Sequence, residues 1–596
     1  MRRRSEGIQL SLRRGVLAAA GVVCGVLALA AAPTWAASPR VVISPLSGTP
    51  DANPATQVSF LGVPARDLRD VEVHGSASGA HSGRLEAYST GTGASFLPDE
   101  PFDPGEQVSA TATVLTAAGV EHVATHFTVA TPVTLTTPGP NPVRADPPDA
   151  VTFHSVPGLK PSAVAVTTAD SDPSAGDIFV APNLPIGQAG PMILAPSGQL
   201  VYFKRLPSAL TARDTNVQSF NGQPVLTWWQ GQIVDGHGQG VDEIYDTSYR
   251  HVATVRAGNG LLADLHDFEI TPQGTAWITA FAPVSWNLSP YGGASDGVID
   301  DGVIQEIDIK TGLVMFQWDA IGHVAIADTY MPTPTLSYVP FDFFHVNSID
   351  PQPDGDVLIS SRNTWGVYLI SGATGAIIWR LGGKHSTFTL GAGVHFAWQH
   401  DARLEPNGTI TIFDNENTPR EAAASRAIDV SLDTQTHSAT LVWALTHPLW
   451  RVLAASQGSV QLLGDGDTFV GWGQNGPFSE FSPSGQLLFD MHFLDTDTYR
   501  AYRYQWSAQP LTRPSLVASN TAAGTTQLYV SWNGATDVAS WSVFAGASPT
   551  SQPPVGNYPA TGFETAITLP ASEPYVAVQA LSATGAVLKS SNVVRP

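Results

Sequence analysis

Three histidines, His266, His345 and His400, each open the same kind of segment: LHDFEITPQGTAWITAF, FHVNSIDPQPDGDVLISSRN and QHDARLEPNGTITIFDNEN. Each segment reads as a short alternating strand, a polar turn ending in glycine, and a second strand. The histidines stand eight, ten and eight residues before Gly274, Gly355 and Gly408, which open those second strands. Imidazole titrates nearest neutral pH, so it serves as proton carrier, nucleophile or metal ligand. Asn347 follows His345 by two residues and on a strand shares its face. Arg362 ends the second strand of the same unit. Its fixed, forked guanidinium suits a sulfate or phosphate group. Imidazoles, an amide and an arginine together make an anion pocket, in which an imidazole can attack sulfur or phosphorus or exchange protons with a phenol. Two other readings stay open at this level: a divalent metal held by the three histidines, and a structural histidine copied by duplication.

For the histidines to converge, the repeats must be arranged about an axis. Residues 146–512 are almost wholly β in character and repeat at roughly 50 to 60 residues. The second strands recur as GDIFVAP, GQPVLTWW, GTAWITAF, GDVLISSR, GTITIFDN and GDTFVGWG. Outer hairpins such as IDIKTGLVMFQWDA and ISGATGAIIWRLGG recur with them. Six such units predict an all-β, six-bladed β-propeller, whose innermost strands line a central channel. The outsized interval at 282–340 predicts an insertion over one face and a candidate lid. Residues 38–132 predict an Ig-like β-sandwich, 133–145 a proline-rich linker, and 513–596 a second sandwich that resembles a fibronectin type III domain, with Trp532 in its core.

The N-terminus carries a basic stretch, the apolar run VLAAAGVVCGVLALAAA and small residues at 34–37, which together predict a signal peptide over 1–37. The one cysteine, Cys24, lies inside that run, so no disulfide, thiolate or cysteine-based metal site is expected in the mature chain. The net charge of −22 suits a secreted or cell-envelope protein and argues against nucleic-acid binding. No later stretch is long and apolar enough to be expected to span a bilayer.

Other residues carry weaker signals. Asn216 and Ser459 occupy the corresponding region of neighbouring units. His237, in DGHGQG, reads as readily as a loop residue as a functional one. Lys384 and His385 are candidate substrate contacts, and Trp228, Trp365 and Trp398 candidate aryl-stacking residues, although such tryptophans more often pack blades. The acidic stretches DSDPSAGD (170–177) and DGVIDDG (296–302) have calcium-ligand character without loop spacing and read as solvated turns.

The succession HDFEIT, HVNSID, ISSRNT, IIWRLGGKHS, QHDARL with FDNE, and TYRAYRYQW resembles the arylsulfotransferase family, in its secreted branch, over about residues 150–510. The resemblance implies a six-bladed propeller that moves a sulfuryl group from a phenolic sulfate donor to a phenol acceptor, through a sulfated histidine. It implies neither a nucleotide sulfate donor nor another cofactor. It gives His400 as the nucleophile, His345, Asn347 and Arg362 as the groups holding the sulfuryl oxygens, and His266 as a further pocket histidine. The competing expectations are a metal-dependent lyase or oxygenase and a non-catalytic propeller that binds a glycan or protein.

Overall fold

The computed structural model describes residues 41–117, 119–135, 150–170, 176–183 and 188–596. The signal segment with Cys24, most of the 133–145 linker and the centre of DSDPSAGD lie outside the described residues. Among the described residues the chain is all-β, with no α-helix.

Six four-stranded antiparallel meanders form the middle of the chain. The second runs Thr211–Phe220, Gln223–Val234, His237–Asp246 and His251–Val255; the third Ala263–Ile270, Thr275–Trp286, Gly297–Asp308 and Val314–Asp319. The fourth runs Val346–Pro351, Val357–Ser361, Gly366–Ile370 and Ile377–Gly382; the fifth His400–Leu404, Thr409–Asp414, Arg426–Asp433 and Ser438–Leu445. The sixth runs Ser459–Leu462, Thr468–Gly471, Pro477–Phe481 and Leu487–Phe493, with Val164–Thr168 added outside. The first meander is assembled from both ends of this region: Tyr502–Tyr504 pairs with Asp177–Val180, which continues to Met192–Leu194 and Leu200–Phe203. All six glycine-led segments read from the sequence are the second strands of these meanders.

The first strands of successive meanders contact one another, and Tyr502–Tyr504 meets both Ser459–Leu462 and Thr211–Phe220, closing a ring. The apolar cores lie between consecutive meanders. Phe268 and Ile278 pack on Val225 and Ile244, Ile359 and Tyr368 on Ile304 and Phe316, and Phe469 and Phe489 on Ile178 and Phe203. Sheets buried on both faces need near-continuous apolar second strands, and the Val, Ile and Phe runs supply them. Trp228 belongs to this packing: fully buried with Phe179 and Tyr202, its ring lies 4.6 Å from Tyr245, so it is not an aryl-stacking residue.

The interval at 282–340 is not mainly an insertion. Thr275–Trp286 and Gly297–Asp308 pair along their whole length, from Thr275↔Asp308 to Trp286↔Gly297. DGVIDDG is therefore a buried strand rather than a solvated turn, with Asp300 and Asp301 both shielded from solvent. Beyond the hairpin connections at 287–296 and 309–313, the irregular part is the connection after Asp319. There Lys384 Nζ donates to the Ala327 and Thr329 carbonyls at 2.9 and 2.6 Å, and His385 pairs with Asp328 at 3.3 Å. Lys384 and His385 thus fasten this connection, and Tyr330 within it stacks on Trp365 with ring centroids 3.6 Å apart.

Two sheets before the meanders (Val42–Ser44, Val58–Leu61, Gly93–Pro98, Gly83–Ala87; and Gly79–Ala80, Leu68–Gly75, Gln107–Thr116, Gly119–Thr128) enclose Phe60, Phe96, Val108 and Phe127. They dock on the outer strand of the third meander: Ser59 Oγ donates to the Val314 carbonyl at 2.6 Å, and the Gln317 amide donates to Ser44 Oγ at 3.1 Å. Two sheets after the meanders, of three and four strands, enclose Trp532, Trp541 and Val543.

Candidate functional site

The first strands of the second to fifth meanders do not run as plain ladders. Their pairing shifts between Arg213 and Asn216, Ala263 and Phe268, Val346 and Ser348, and His400 and Arg403. Bulges of this kind re-aim side chains that alternation would otherwise fix. Asp214, His345 and Asp401 take positive φ of 51°, 56° and 52° there, conformations that a non-glycine residue adopts only when its surroundings hold it. His266 lies within its strand and His400 begins its own, each just before an aspartate. His345 instead precedes its strand by one residue, so it is not in the same register as the other two.

Asn347 stands in the register of His266 and His400. Ser348 falls in line with Asp267 and Asp401, and each of these three accepts a backbone amide from the next first strand. The strands meet at the hub. The Arg500 guanidinium donates to Asp267 at 2.8 Å, to Asp214 at 3.2 Å and to the Asn347 carbonyl at 2.9 Å. Arg403 bridges Asp267, Glu269 and Asp401 at 2.8 to 3.0 Å. Arg500, fully buried, and Arg403, partly buried, tie the first strands of four meanders together. Both residues stand in quoted motifs, QHDARL and TYRAYRYQW, yet nothing in the sequence separates a hub arginine from a substrate-binding one.

Above the hub the imidazoles gather. The rings of His266 and His345 are 4.7 Å apart between centroids, and His237 lies 5.2 Å from His345 and 6.2 Å from His266. His237, read as readily as a loop residue, begins the strand His237–Asp246 and stacks on Phe281 at 3.8 Å. Each ring has a carboxylate behind it. His266 Nδ1 is 2.5 Å from Asp264 Oδ2, and Asp342 Oδ2 accepts from His345 Nδ1. The same Asp342 oxygen lies 3.2 Å from His237 Nε2, while His237 Nδ1 lies 2.8 Å from Asp300. Asp264 and Asp342 were not among the residues the sequence suggested, and Asp300 lies in the stretch that reads as a solvated turn. Asp264 and Asp342 sit two and three residues before a histidine, but Asp300 arrives from a different strand.

Burial sets the charge states. Burial opposes the His237 imidazolium, but Asp300 and Asp342 outweigh it and hold His237 well above its ordinary value. Burial pushes His345 down to about 4 against the pull of Asp342, so it is neutral at pH 7. With Nδ1–H given to Asp342, its Nε2 makes no hydrogen bond among the described residues and carries a lone pair. Burial, then Arg362, depress His400 well below the usual range. His400 is held on both sides: Nδ1 donates to Asn415 Oδ1 at 2.8 Å, and Nε2 accepts the Gln457 amide at 3.1 Å.

Arg362 is near enough to bias His400 and His345, and its Cζ lies 5.3 Å from the Trp398 ring. Its Nε is buried and meets no acceptor; Asn347 Oδ1, Tyr499 Oη and Trp365 Nε1 likewise lack partners. Asn347 reaches Gln399 O with its amide nitrogen at 2.7 Å, which places it against the turn carrying His400. Asn216 and Ser459 are tied elsewhere, to Tyr504 Oη and the Ala501 carbonyl. Buried polar groups are normally paired, so this many open valences around one cluster of imidazoles marks a place for polar ligand atoms. The nitrogens and oxygen of His237, His345 and Asp342 lie within 4.8 Å of one another. That is a metal-ligand spacing, but its nitrogens already bond the Asp342 carboxylate, and His266 and His400 take no part in it.

Residues 216–494, just under half of the chain, match the family model described as arylsulfotransferase (ASST). No curated protein matches the chain. Among solved structures, a protein of unknown function from Bacteroides caccae is 10% identical with a TM-score of 0.35, covering 55% of this chain and 97% of that one. A catalytically inactive virginiamycin B lyase from Staphylococcus aureus, solved with quinupristin, is 6% identical with a TM-score of 0.30, covering 61% of this chain and 95% of that one.

Proposed function

We propose, taking the arylsulfotransferase match over residues 216–494 as premise, that the chain transfers a sulfuryl group from a phenolic sulfate to a phenol outside the cytoplasm. The carrying observation is that His266, His345 and His400 gather with Arg362 inside the matched segment, around buried polar atoms that have no partner. The six closed meanders are read as a six-bladed propeller with this site on its axis. The flanking sheets are read as an Ig-like module over 38–132 and a fibronectin type III-like module over 513–596.

In this reading His400 Nε2 attacks sulfur. The N–S bond forms as the S–O bond to the aryl group breaks, and the aryloxide leaves with the electron pair. His400 is kept neutral, as a nucleophile must be, and the Gln457 amide that caps Nε2 turns to a sulfuryl oxygen. Arg362 and Asn347 balance charge on the sulfuryl oxygens, with the open Nε of Arg362 as donor. The acceptor phenol then loses its proton to His345 Nε2, its oxygen attacks sulfur, and the N–S bond breaks. His345 returns the proton to the next departing aryloxide. His237 stays charged between Asp300 and Asp342, holding Asp342 as the carboxylate that orients His345.

One observation favours a second assignment within the same reaction. The Gln457 amide occupies the His400 lone pair, whereas His345 Nε2 is open, which makes His345 the alternative carrier. Brief exposure to 4-nitrophenyl sulfate, acid-free digestion and mass spectrometry test both. An added 80 Da, the mass of SO3, on His400 supports the first assignment and on His345 the second. Absence of both adduct and nitrophenol release with phenol present sinks the sulfuryl-transfer reading.

A further inference from the structure

A second cluster of chemistry-bearing groups lies away from the imidazoles, at the seam between the N-terminal sheets and the third meander. Asp51 comes from the loop after Val42–Ser44, Asp301 from the strand Gly297–Asp308, and Asp319 ends Val314–Asp319. One carboxylate oxygen of each lies within 4.8 Å of the others, and all three residues are more than nine-tenths buried.

Their partners are few. Asp301 Oδ1 accepts the Ile321 amide at 3.0 Å, and Asp319 Oδ1 accepts the Gln317 side-chain amide at 2.7 Å. Neither oxygen of Asp51 meets a donor, and Asp301 Oδ2 meets none. Among the described residues no lysine, arginine or histidine forms an ion pair with any of the three. An isolated buried carboxylate is costly, and three together cost more, unless a cation or protons neutralise them. Burial and their mutual repulsion raise Asp51 and Asp301 well above the usual carboxylate range, which is the same conflict seen from the proton's side. Asp51 is the telling residue. It reaches the other two from a separate pair of sheets, 4% exposed, with one oxygen in the cluster and both oxygens buried without a donor.

We propose that Asp51, Asp301 and Asp319 bind a calcium ion that fastens the N-terminal sheets to the third meander. The donor set is all oxygen, with no imidazole or thiolate to favour zinc, copper or nickel. Calcium accepts six to eight oxygens in loose geometry, whereas magnesium demands a near-ideal octahedron and keeps its waters. The site is distinct from the imidazole cluster and does not rest on the sulfuryl-transfer reading. Asp300 and Asp301 are strand neighbours whose side chains point to opposite faces, one to His237 and the other to the seam.

The test uses the whole chain, stripped with a chelator and titrated with calcium chloride by calorimetry while the unfolding midpoint is followed. One calcium per chain and a rise of several degrees in the midpoint are expected, with a much smaller response to magnesium chloride. Asp51→Asn and Asp301→Asn weaken calcium binding at least tenfold, whereas Asp433→Asn, at an exposed position, leaves it unchanged. Should the seam variants fail to fold, calcium content of the wild-type chain after gel filtration, by elemental mass spectrometry, still decides. The proposal is overturned by absence of binding heat and midpoint shift up to ~10 mM calcium, or by an equal response to magnesium. It is also overturned if Asp51→Asn stabilises the chain while calcium does nothing, because shared protons would then neutralise the cluster.

Discussion

Asp342→Asn separates the chemistry of the imidazole cluster from its architecture. His345 Nδ1 and His237 Nε2 both approach the same carboxylate oxygen, Oδ2, while Oδ1 meets no donor. An asparagine can therefore turn its oxygen to both rings and its NH2 into the vacant side, keeping the geometry and removing only the charge. In the proposed mechanism that charge stabilises the imidazolium formed when His345 takes the acceptor's proton. Two unit charges ~4 Å apart at an effective dielectric of ~20 interact by about 4 kcal/mol, which is about 10³ in rate. Asp300 still supports His237, and a positioned base is worth ~10² to 10⁴, so a loss of ~10² to 10³ in kcat is expected. The pH profile carries the sign. Asp342 raises the His345 pKa against burial, which sets it at about 4. Without that charge the acid limb of kcat/KM moves to lower pH while the plateau falls. The assay is release of nitrophenol from 4-nitrophenyl sulfate with phenol as acceptor, from about pH 3.5 to 8, with the unfolding midpoint as control for folding. A folded Asp342→Asn enzyme within threefold of wild type, or an acid limb displaced upward, refutes the reasoning.

Arg362→Lys keeps a positive charge but loses the fork, and a loss of ~10²-fold in kcat is expected, with little change in thermal midpoint; an equal fall in midpoint makes Arg362 structural instead. Arg500→Met leaves Asp214 without its buried arginine partner and Asp267 with Arg403 alone. A destabilisation of ~3 to 5 kcal/mol follows by chemical denaturation, and a neutral result refutes the hub. His345 is depressed in the folded chain, so its contribution to stability is whole above about pH 6.5 and is lost as pH falls through about 4. His345→Gln therefore flattens the stability profile between those values, and an unchanged slope in urea melts counts against its buried neutral state. His237 runs the other way: its stabilisation is whole below about pH 6.5 and fades as pH rises through its raised value.

The parts of this architecture legible in the sequence were those encoded locally. A second strand such as GTITIFDN announces itself by alternation, β-branched residues and the glycine that turns into it, and Gly408 does take a positive φ of 84°. The pairing of Tyr502–Tyr504 with Asp177–Val180 joins residues more than 300 positions apart, and no local period reports it. Histidines 266, 345 and 400 stand out by their spacing to that glycine. The ten residues at His345, against eight at the other two, already set it apart, and Asn347, at eight, holds the matching register. His237 begins the third strand of its meander rather than the first, so the repeat logic passed over it, and DGVIDDG looked polar enough for a turn. What reverses both readings is a partner. Asp300 is tolerable in a buried strand because His237 faces it, and each makes sense only with the other in view.

The charge of the chain sets a last test on the anionic substrate. A net charge of −22 repels an aryl sulfate, although Arg362, which forms no ion pair among the described residues, makes its side of the pocket locally attractive. For a chain of this length the compact radius is about 25 Å, where one unit pair in water interacts by ~0.17 kcal/mol and the whole charge by ~3.7 kcal/mol unscreened. With a Debye length of about 30 Å at ~10 mM salt, about 1.6 kcal/mol of that repulsion survives. At about 8 Å, near ~0.15 M salt, about 0.2 kcal/mol does. The difference, ~1.4 kcal/mol, is about tenfold. Raising salt across this range should therefore raise kcat/KM for a singly charged aryl sulfate about tenfold, leave kcat unchanged, and leave the response to a neutral acceptor phenol flat. A fall in kcat/KM with salt means that the Arg362 field extends beyond the pocket mouth and steers the donor in, in which case the acidic surface lies on faces that the donor never meets.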